Sequence, residues 1–138
     1  TRSISLSGDT VTISTTANNN GSSTYTLKMR THPELNIPEK VKASGEFVSV
    51  SGESIKYPFK DAEENKFFSG DNLPNGKWTV NLGDYSVTNT FDTKMVSQAL
   101  LNSTLSSRRY NFELYSTGVD LNPGQSATFT NSFKVEVK

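Results

Sequence analysis

Apolar and polar residues alternate with a period of two along most of the 138-residue chain. This pattern is typical of β-strands that bury one face and leave the other in water. It predicts eight or nine short strands. The alternating segments lie at residues 4–6, 11–13, 25–29, 47–50, 55–59, 78–82, 85–87, 110–114 and 127–137.

Turn residues separate these segments and indicate how the strands connect. Gly8-Asp9 and Gly83-Asp84 predict two tight hairpins. Pro33 and Pro38 predict a loop over residues 32–40 rather than a central strand, because proline cannot donate to a sheet ladder. Short connections of this kind favour antiparallel sheets over a parallel sheet with crossover helices.

One segment departs from the alternation. The apolar residues of 92–101 recur at the spacing of one helical face, namely Met95, Val96, Ala99 and Leu100. Asp92 is a suitable N-cap for a helix that begins there. We therefore predict an all-β fold with one short helix. Residues 1–138 are expected to form a single antiparallel β-sandwich domain, jelly-roll or immunoglobulin-like.

The amino-acid composition indicates where the protein is located. Ser, Thr and Asn make up about a third of the chain, and there is no Cys. Cys-free β proteins of this composition are frequent among exported microbial surface proteins. Because the sequence does not begin with Met, Thr1 is expected to follow a processed leader or another boundary. We therefore predict an extracellular or cell-surface location.

Charge and composition exclude several function classes. The 14 Lys and Arg residues balance the 14 Asp and Glu residues, so the cationic surplus of a nucleic-acid-binding protein is missing. No apolar stretch is long enough for a membrane span. Without Cys, thiol catalysis and thiolate metal sites are excluded. No cofactor is predicted.

Catalytic chemistry has little support in the sequence. His32 is the only imidazole, so a Ser-His-Asp hydrolase would need it, yet no Gly-x-Ser-x-Gly turn is present. We interpret His32 as an exposed loop residue. Acidic residues between Asp61 and Asp71 offer oxygen ligands, but their spacing does not match a calcium loop, which favours a solvated connection.

Aromatic and cationic residues provide candidate ligand or partner contacts. Tyr57, Tyr85 and Tyr115 could stack against sugar rings if they point outward, whereas Trp78 alternates in phase with apolar residues and is expected in the core. Arg108-Arg109 could join Lys28 and Arg30 in a cationic patch that recognises acidic glycans or a partner carboxylate.

The C-terminal strand suggests a route to assembly. Its large apolar residues are Phe129, Phe133, Val135 and Val137. If this strand paired with a neighbouring subunit, strand addition would build a fibre. Pairing within the subunit is the alternative, and it is slightly favoured for the isolated chain.

Three functions follow from these features. The first is a non-enzymatic extracellular structural or adhesive subunit of a pilus, surface fibre or virion, with protein partners or self-assembly. The second is a carbohydrate-binding module or lectin that uses exposed aromatic residues. The third is a small hydrolase that uses His32 or a pair of carboxylates. The sequence favours them in this order.

Overall fold

A computed structural model describes residues 1–60, 63–104 and 107–138 of the chain. Nearly all of its regular structure is β-strand. The strands are β1 Arg2–Ser7, β2 Thr10–Asn18, β3 Tyr25–Leu27, β4 Arg30–Thr31, β5 Glu34–Asn36, β6 Ser44–Val48, β7 Ser54–Pro58, β8 Glu64–Ser69, β9 Lys77–Asn81, β10 Tyr85–Phe91, β11 Val96–Thr104, β12 Arg109–Ser116, β13 Val119–Leu121 and β14 Ser126–Val137.

These strands form two packed antiparallel sheets. The seven-stranded sheet has the order β1-β2-β14-β10-β9-β6-β7. The five-stranded sheet has the order β4-β12-β11-β8, with β5 also paired to β12, and β13 pairs with β3 separately. The predicted all-β sandwich is confirmed. No helix within the described ranges is long and apolar enough to cross a membrane.

The core lies between the two sheets and is rich in aromatic rings. Trp78 is buried, as predicted, and meets the Phe112 ring edge-on with 5.5 Å between centroids. Its indole Nε1 donates to Asn89 Oδ1 at 3.0 Å, so the buried N–H is satisfied. Asn89 Nδ2 in turn donates to the carbonyl of Ser132 at 3.0 Å. This hydrogen-bonded chain links β9, β10 and β14 inside the core.

The helix predicted over 92–101 is wrong. A single 3₁₀ turn, Thr93–Met95, is capped by Asp92 and leads directly into β11. A bulge between Val96 and Gln98 shifts the register of β11 against β12, so Val96 and Ala99 both reach the core although they are three positions apart in the sequence. This irregularity, on a strand buried on both faces, imitates the spacing of a helix.

The C-terminal strand is paired on both sides within the chain. β14 lies between β2 and β10, with residues from Ser126 to Lys134 opposite β2 and residues from Asn131 to Val137 opposite β10. Phe129 and Phe133 contribute to the core, whereas Val135 and Val137 are exposed. Internal pairing occupies both edges of the strand that we considered for assembly.

Gly45 lies where the two sheets approach each other closely. A Cβ atom at this position would lie 2.8 Å from Leu101 Cδ1 and 3.0 Å from Tyr110 Oη, and both of these side chains are buried. Gly45→Ala is therefore expected to lower the free energy of unfolding by about 1–3 kcal/mol through overpacking. Urea denaturation measures this loss.

The matched control is Gly118→Ala. Its Cβ would meet the side chains of Thr26 and Lys28 at 3.3 and 3.4 Å, and these are flexible groups outside the core. A loss below about 0.5 kcal/mol is expected for this surface change. Equal losses for the two variants would contradict the close approach at Gly45.

Tyr110 makes stability depend on alkaline pH. Burial raises the pKa of its phenol well above the ordinary 10.0, and its hydroxyl donates to the carbonyl of Tyr57 at 3.2 Å. The folded chain therefore holds this proton more tightly than the unfolded chain. The contribution of Tyr110 to the free energy of unfolding is complete at pH values below the pKa of the phenol in the unfolded chain. Above that pKa the contribution falls by up to about 1.4 kcal/mol per pH unit.

Tyr110→Phe should weaken that pH dependence. Urea unfolding at pH values from about 9 to 11 should show a shallower loss of stability in the variant than in the wild type. Tyr25→Phe, which changes a tyrosine that is 60% exposed, is the control and should keep the wild-type slope. If Tyr110→Phe lost stability with pH as steeply as the wild type, Tyr110 would not be the source of the alkaline pH dependence.

Candidate functional site

Strand β12 carries two sets of side chains on its opposite faces. Tyr110, Phe112 and Leu114 point into the core and are fully buried. The residues between them, Asn111, Glu113 and Tyr115, point to the other face of the five-stranded sheet, here called the outer face. Glu113 is only 1% exposed although it lies outside the core. A carboxylate buried in this way must be paired.

Glu113 has polar contacts at both of its oxygens. Oε2 accepts from Arg30 Nε at 2.7 Å, lies 2.6 Å from Arg30 Nη2, and accepts from the Tyr115 hydroxyl at 3.1 Å. Oε1 lies 2.9 Å from His32 Nδ1. The hydrogen bond to Glu113 raises the pKa of Arg30, and burial together with the charge of Glu113 raises the pKa of Tyr115. Tyr115 therefore stays protonated and donates.

His32 links this buried carboxylate to an exposed one. Its Nε2 lies 3.2 Å from Glu34 Oε1, while its Nδ1 faces Glu113. Nδ1 also lies 2.9 Å from Arg30 Nη2, and a guanidinium only donates hydrogen bonds, so this nitrogen has both a donor and an acceptor within reach. The His32 imidazole therefore lies between two carboxylates, with a guanidinium beside it.

Asn111 can adapt to this arrangement. Its Nδ2 lies 3.2 Å from His32 Nε2, and its buried Oδ1 has no hydrogen-bond partner among the described residues. Rotation of the amide by half a turn would bring Oδ1 to His32 Nε2 and Nδ2 to the position that Oδ1 now occupies. Arg109 Nη1 closes the site at 2.8 Å from Glu34 Oε2. We call these seven residues the Glu113 cluster: Arg30, His32, Glu34, Arg109, Asn111, Glu113 and Tyr115.

Two short strands bring the N-terminal half of the cluster to β12. In β4, Thr31 Oγ1 accepts from the Leu114 amide at 3.0 Å, and Arg30 lies opposite Tyr115. In β5, Glu34 lies opposite Asn111. The period of two places Arg30, His32 and Glu34 on the same face. The predicted loop over 32–40 thus contains a short strand, although not a central one.

The outer face continues from the cluster to the edge strand β8. Phe67, Leu100 and Glu113 lie opposite one another on β8, β11 and β12. Phe67 is 50% exposed, whereas Leu100 is buried. In the next row, Asn102 Nδ2 donates to Asn65 Oδ1 at 2.9 Å. A cavity of about 350 Å³ borders the cluster and is lined by Lys28, Met29, Arg30, Ser97, Gln98, Tyr115 and Ser116.

The structure brings only some of the predicted contact residues together. Tyr115 and Arg109 belong to the Glu113 cluster. Arg108 instead donates to the backbone carbonyls of Ile37 and Pro38, at 3.2 and 3.1 Å. Tyr85 packs against the core, so no shared tyrosine platform forms.

Tyr57 lies at a different edge of the molecule. Its hydroxyl donates to Glu64, and Lys60 Nζ lies 2.9 Å from Glu64 Oε2. Burial is the main reason that the pKa of Tyr57 is raised, and the hydrogen bond from Tyr57 lowers the pKa of Glu64. Glu64 thus belongs to a polar network rather than a free acidic loop. Asp61, at the start of the predicted acidic connection, lies outside the described residues.

His32 is an exposed loop residue, as predicted, but it is not an isolated one. Its side chain is 43% exposed, yet both ring nitrogens contact carboxylates. Sequence reasoning also missed Glu34, Asn111 and Glu113. The available signal was the alternation of Arg30, His32 and Glu34, which places three ionisable groups on one face. Among the described residues, no group of three or more acidic or histidine side chains is placed to hold a metal ion.

No family model and no curated protein matches the sequence. Solved structures do match its fold. The Slr1438 protein of Synechocystis sp. PCC 6803 has a TM-score of 0.79 and 13% identity, and a provisionally named aldose 1-epimerase from Escherichia coli K12 has 0.77 and 16%. A galactose mutarotase-like protein from Clostridium acetobutylicum has 0.71 and 11%. This chain therefore shares the β-sandwich fold of these proteins.

These matches cover most of this chain but only part of the others. Each alignment spans 99% of this chain, and 54%, 60% and 55% of the Synechocystis, Escherichia coli and Clostridium chains respectively. At these identities the likeness establishes the fold. What the longer proteins act on is therefore not transferred to this chain by similarity alone.

The comparisons correct the function that the sequence favoured. The prediction of a pilin-like structural or adhesive subunit is wrong, because the matching folds belong to aldose 1-epimerase and galactose mutarotase-like proteins. The prediction that the chain is not an enzyme is contradicted by the same matches. Carbohydrate binding, our second hypothesis, is consistent with this fold.

Glu113 is expected to stabilise the fold as well as the cluster. Glu113→Ala removes the acceptor of Arg30 and Tyr115 and should lower the free energy of unfolding by about 2 kcal/mol. Glu34→Ala breaks ion pairs of a carboxylate that is 39% exposed and should lower it by less than about 1 kcal/mol. Urea denaturation of both variants measures the difference. Similar losses would contradict a structural role for the buried carboxylate.

Proposed function

We propose that this chain binds an aldose at the Glu113 cluster and catalyses interconversion of its anomers by acid–base chemistry. The observation that carries the proposal is the pair His32 and Glu34, which are exposed, 3.2 Å apart and backed by the buried carboxylate of Glu113. The galactose mutarotase-like fold supports the same chemistry.

Anomer interconversion requires two proton transfers. A base takes the proton of the O1 hydroxyl while an acid protonates the ring oxygen, and the bond between C1 and the ring oxygen breaks. The open-chain aldehyde then rotates about the C1–C2 bond. Closure on the other face of the carbonyl reverses both proton transfers, so the catalyst ends in its starting state.

Exposure separates the groups that can touch a sugar from those that cannot. His32 and Glu34 are 43% and 39% exposed, so a bound sugar can reach them. Glu113 at 1% is inaccessible and acts as a positioning residue. In this scheme the His32 imidazolium gives a proton to the ring oxygen, and Glu34 takes the proton from O1.

The surrounding charges suit this exchange. Glu113 faces His32 Nδ1 and orients the imidazole ring, while Arg30 and Tyr115 hold the carboxylate in place. Arg109 pairs with Oε2 of Glu34, and the other oxygen, Oε1, faces His32. Fixed groups of this kind lower the reorganisation that proton transfer would need in water.

The test uses the fact that His32 is the only histidine. Its imidazole signals in histidine-labelled protein report on this site alone, and they should shift when galactose or glucose is added. Polarimetry of freshly dissolved α-anomer measures catalysis. His32→Gln should lose most of the acceleration, by roughly 10²- to 10⁴-fold.

Lys56→Gln is the matched control. Lys56 is an exposed ion-paired residue whose Nζ lies 2.7 Å from Glu46 Oε1 on the other sheet, and the variant should keep wild-type activity. A shift of the His32 signals without acceleration by the wild type would support carbohydrate binding alone. Neither a shift nor acceleration would overturn the proposal.

A further inference from the structure

Phe67 is an exposed aromatic residue that the core does not explain. It is 50% exposed on the outer face of β8, whereas its neighbour Phe68 is buried and meets Phe47 edge-on with 4.9 Å between centroids. The core therefore uses Phe68. A large ring left half in water is unfavourable unless something covers it.

The sheet register aligns Phe67 with the Glu113 cluster. Phe67, Leu100 and Glu113 form one row across three strands. Adjacent strands lie about 4.8 Å apart, so the backbones at the two ends of the row are roughly 10 Å apart. His32 contacts Glu113 at one end, and Phe67 lies at the other. Leu100 between them is buried, so Phe67 is the apolar side chain of this row that a ligand can reach.

Amide side chains flank this apolar row on both sides. One adjacent row holds Asn65, Asn102 and Asn111, and the other holds Gln98 and Tyr115. A sugar ring presents C–H groups on its faces and hydroxyls around its rim. It therefore needs an apolar surface beside hydrogen-bonding amides, which is the combination that this part of the sheet offers.

The charges favour a neutral sugar. Arg30 is paired with Glu113, and Arg109 is paired with Glu34. Each guanidinium in the cluster thus already contacts a carboxylate, so an anionic sugar would compete with an existing ion pair. A neutral ring can occupy the row without breaking either pair.

We propose that Phe67 is the stacking residue of a subsite for one neutral aldopyranose ring, whose anomeric end lies towards His32 and Glu34. This inference rests on the proposed function and adds the position and class of the substrate. Stacking on Phe67 is made equally with the ground state and the transition state, so it should affect KM and leave kcat nearly unchanged.

Three substitutions of Phe67 test this subsite. Polarimetry should show that Phe67→Ala raises the KM for galactose or glucose roughly tenfold with little change in kcat. Phe67→Tyr keeps a ring and should keep the wild-type KM, whereas Phe67→Leu keeps apolar bulk without a ring and should behave like Phe67→Ala. Methyl galactoside, which cannot open its ring, measures binding apart from turnover.

Proton NMR gives a second readout. C–H protons of methyl galactoside in fast exchange should shift upfield with the wild type and with Phe67→Tyr, because an aromatic ring lies over them. That shift should disappear with Phe67→Ala. Tyr25→Ala is the control, because Tyr25 is a 60% exposed aromatic residue on β3, outside the two large sheets, and its loss should change nothing.

The outcomes separate this inference from the proposed function. An active wild type with unchanged KM and unchanged sugar shifts in Phe67→Ala would overturn the subsite and leave the proposed function standing. Wild-type KM in Phe67→Leu would show that bulk alone matters and would also overturn stacking. A wild type that neither binds nor interconverts either sugar would overturn both. Circular dichroism melting identifies any variant that is unfolded. If Phe67→Ala is unfolded, the comparison of Phe67→Tyr with Phe67→Leu tests the stacking role instead.

Discussion

The carboxylate of Glu113 is the constraint on which the outer face depends. It lies on a strand whose alternate residues, Tyr110, Phe112 and Leu114, are fully buried in the core, so its position cannot adjust freely. An unpaired carboxylate at this depth would be very unfavourable. Arg30, His32 and Tyr115 must therefore converge on it. The core thus determines where the charged groups meet.

The contacts with Glu113 also explain how residues 30–36, which include Pro33, become part of a sheet. Residues 30–36 form only short strands on either side of Pro33. They are held to β12 by side chains as much as by the backbone ladder. Thr31 Oγ1 accepts from the Leu114 amide, and Ser116 Oγ accepts from the Met29 amide. The same contacts that position His32 and Glu34 hold this edge of the sandwich.

The polar composition has a structural explanation in the other sheet. On the wet face of the seven-stranded sheet, hydroxyl groups pair across neighbouring strands. Ser14 bonds Thr130, Thr16 bonds Thr128 and Thr79 bonds Thr88, each at 2.8 Å. Cross-strand pairs of this type stabilise antiparallel sheets. The abundance of Ser and Thr that we associated with surface assemblies therefore serves sheet pairing in this sandwich.

The all-β class, the hairpins and the burial of Trp78 could be predicted from the amino-acid sequence, because alternation and turn chemistry are local properties of the chain. Local reasoning failed at 92–101, where a bulge in a strand buried on both faces imitates helical spacing. It also failed at the Glu113 cluster. Arg30 and Glu113 are 83 residues apart, and no local pattern joins them. Their contact depends on the register of β4 and β5 against β12, which is a long-range pairing that forms when the chain folds.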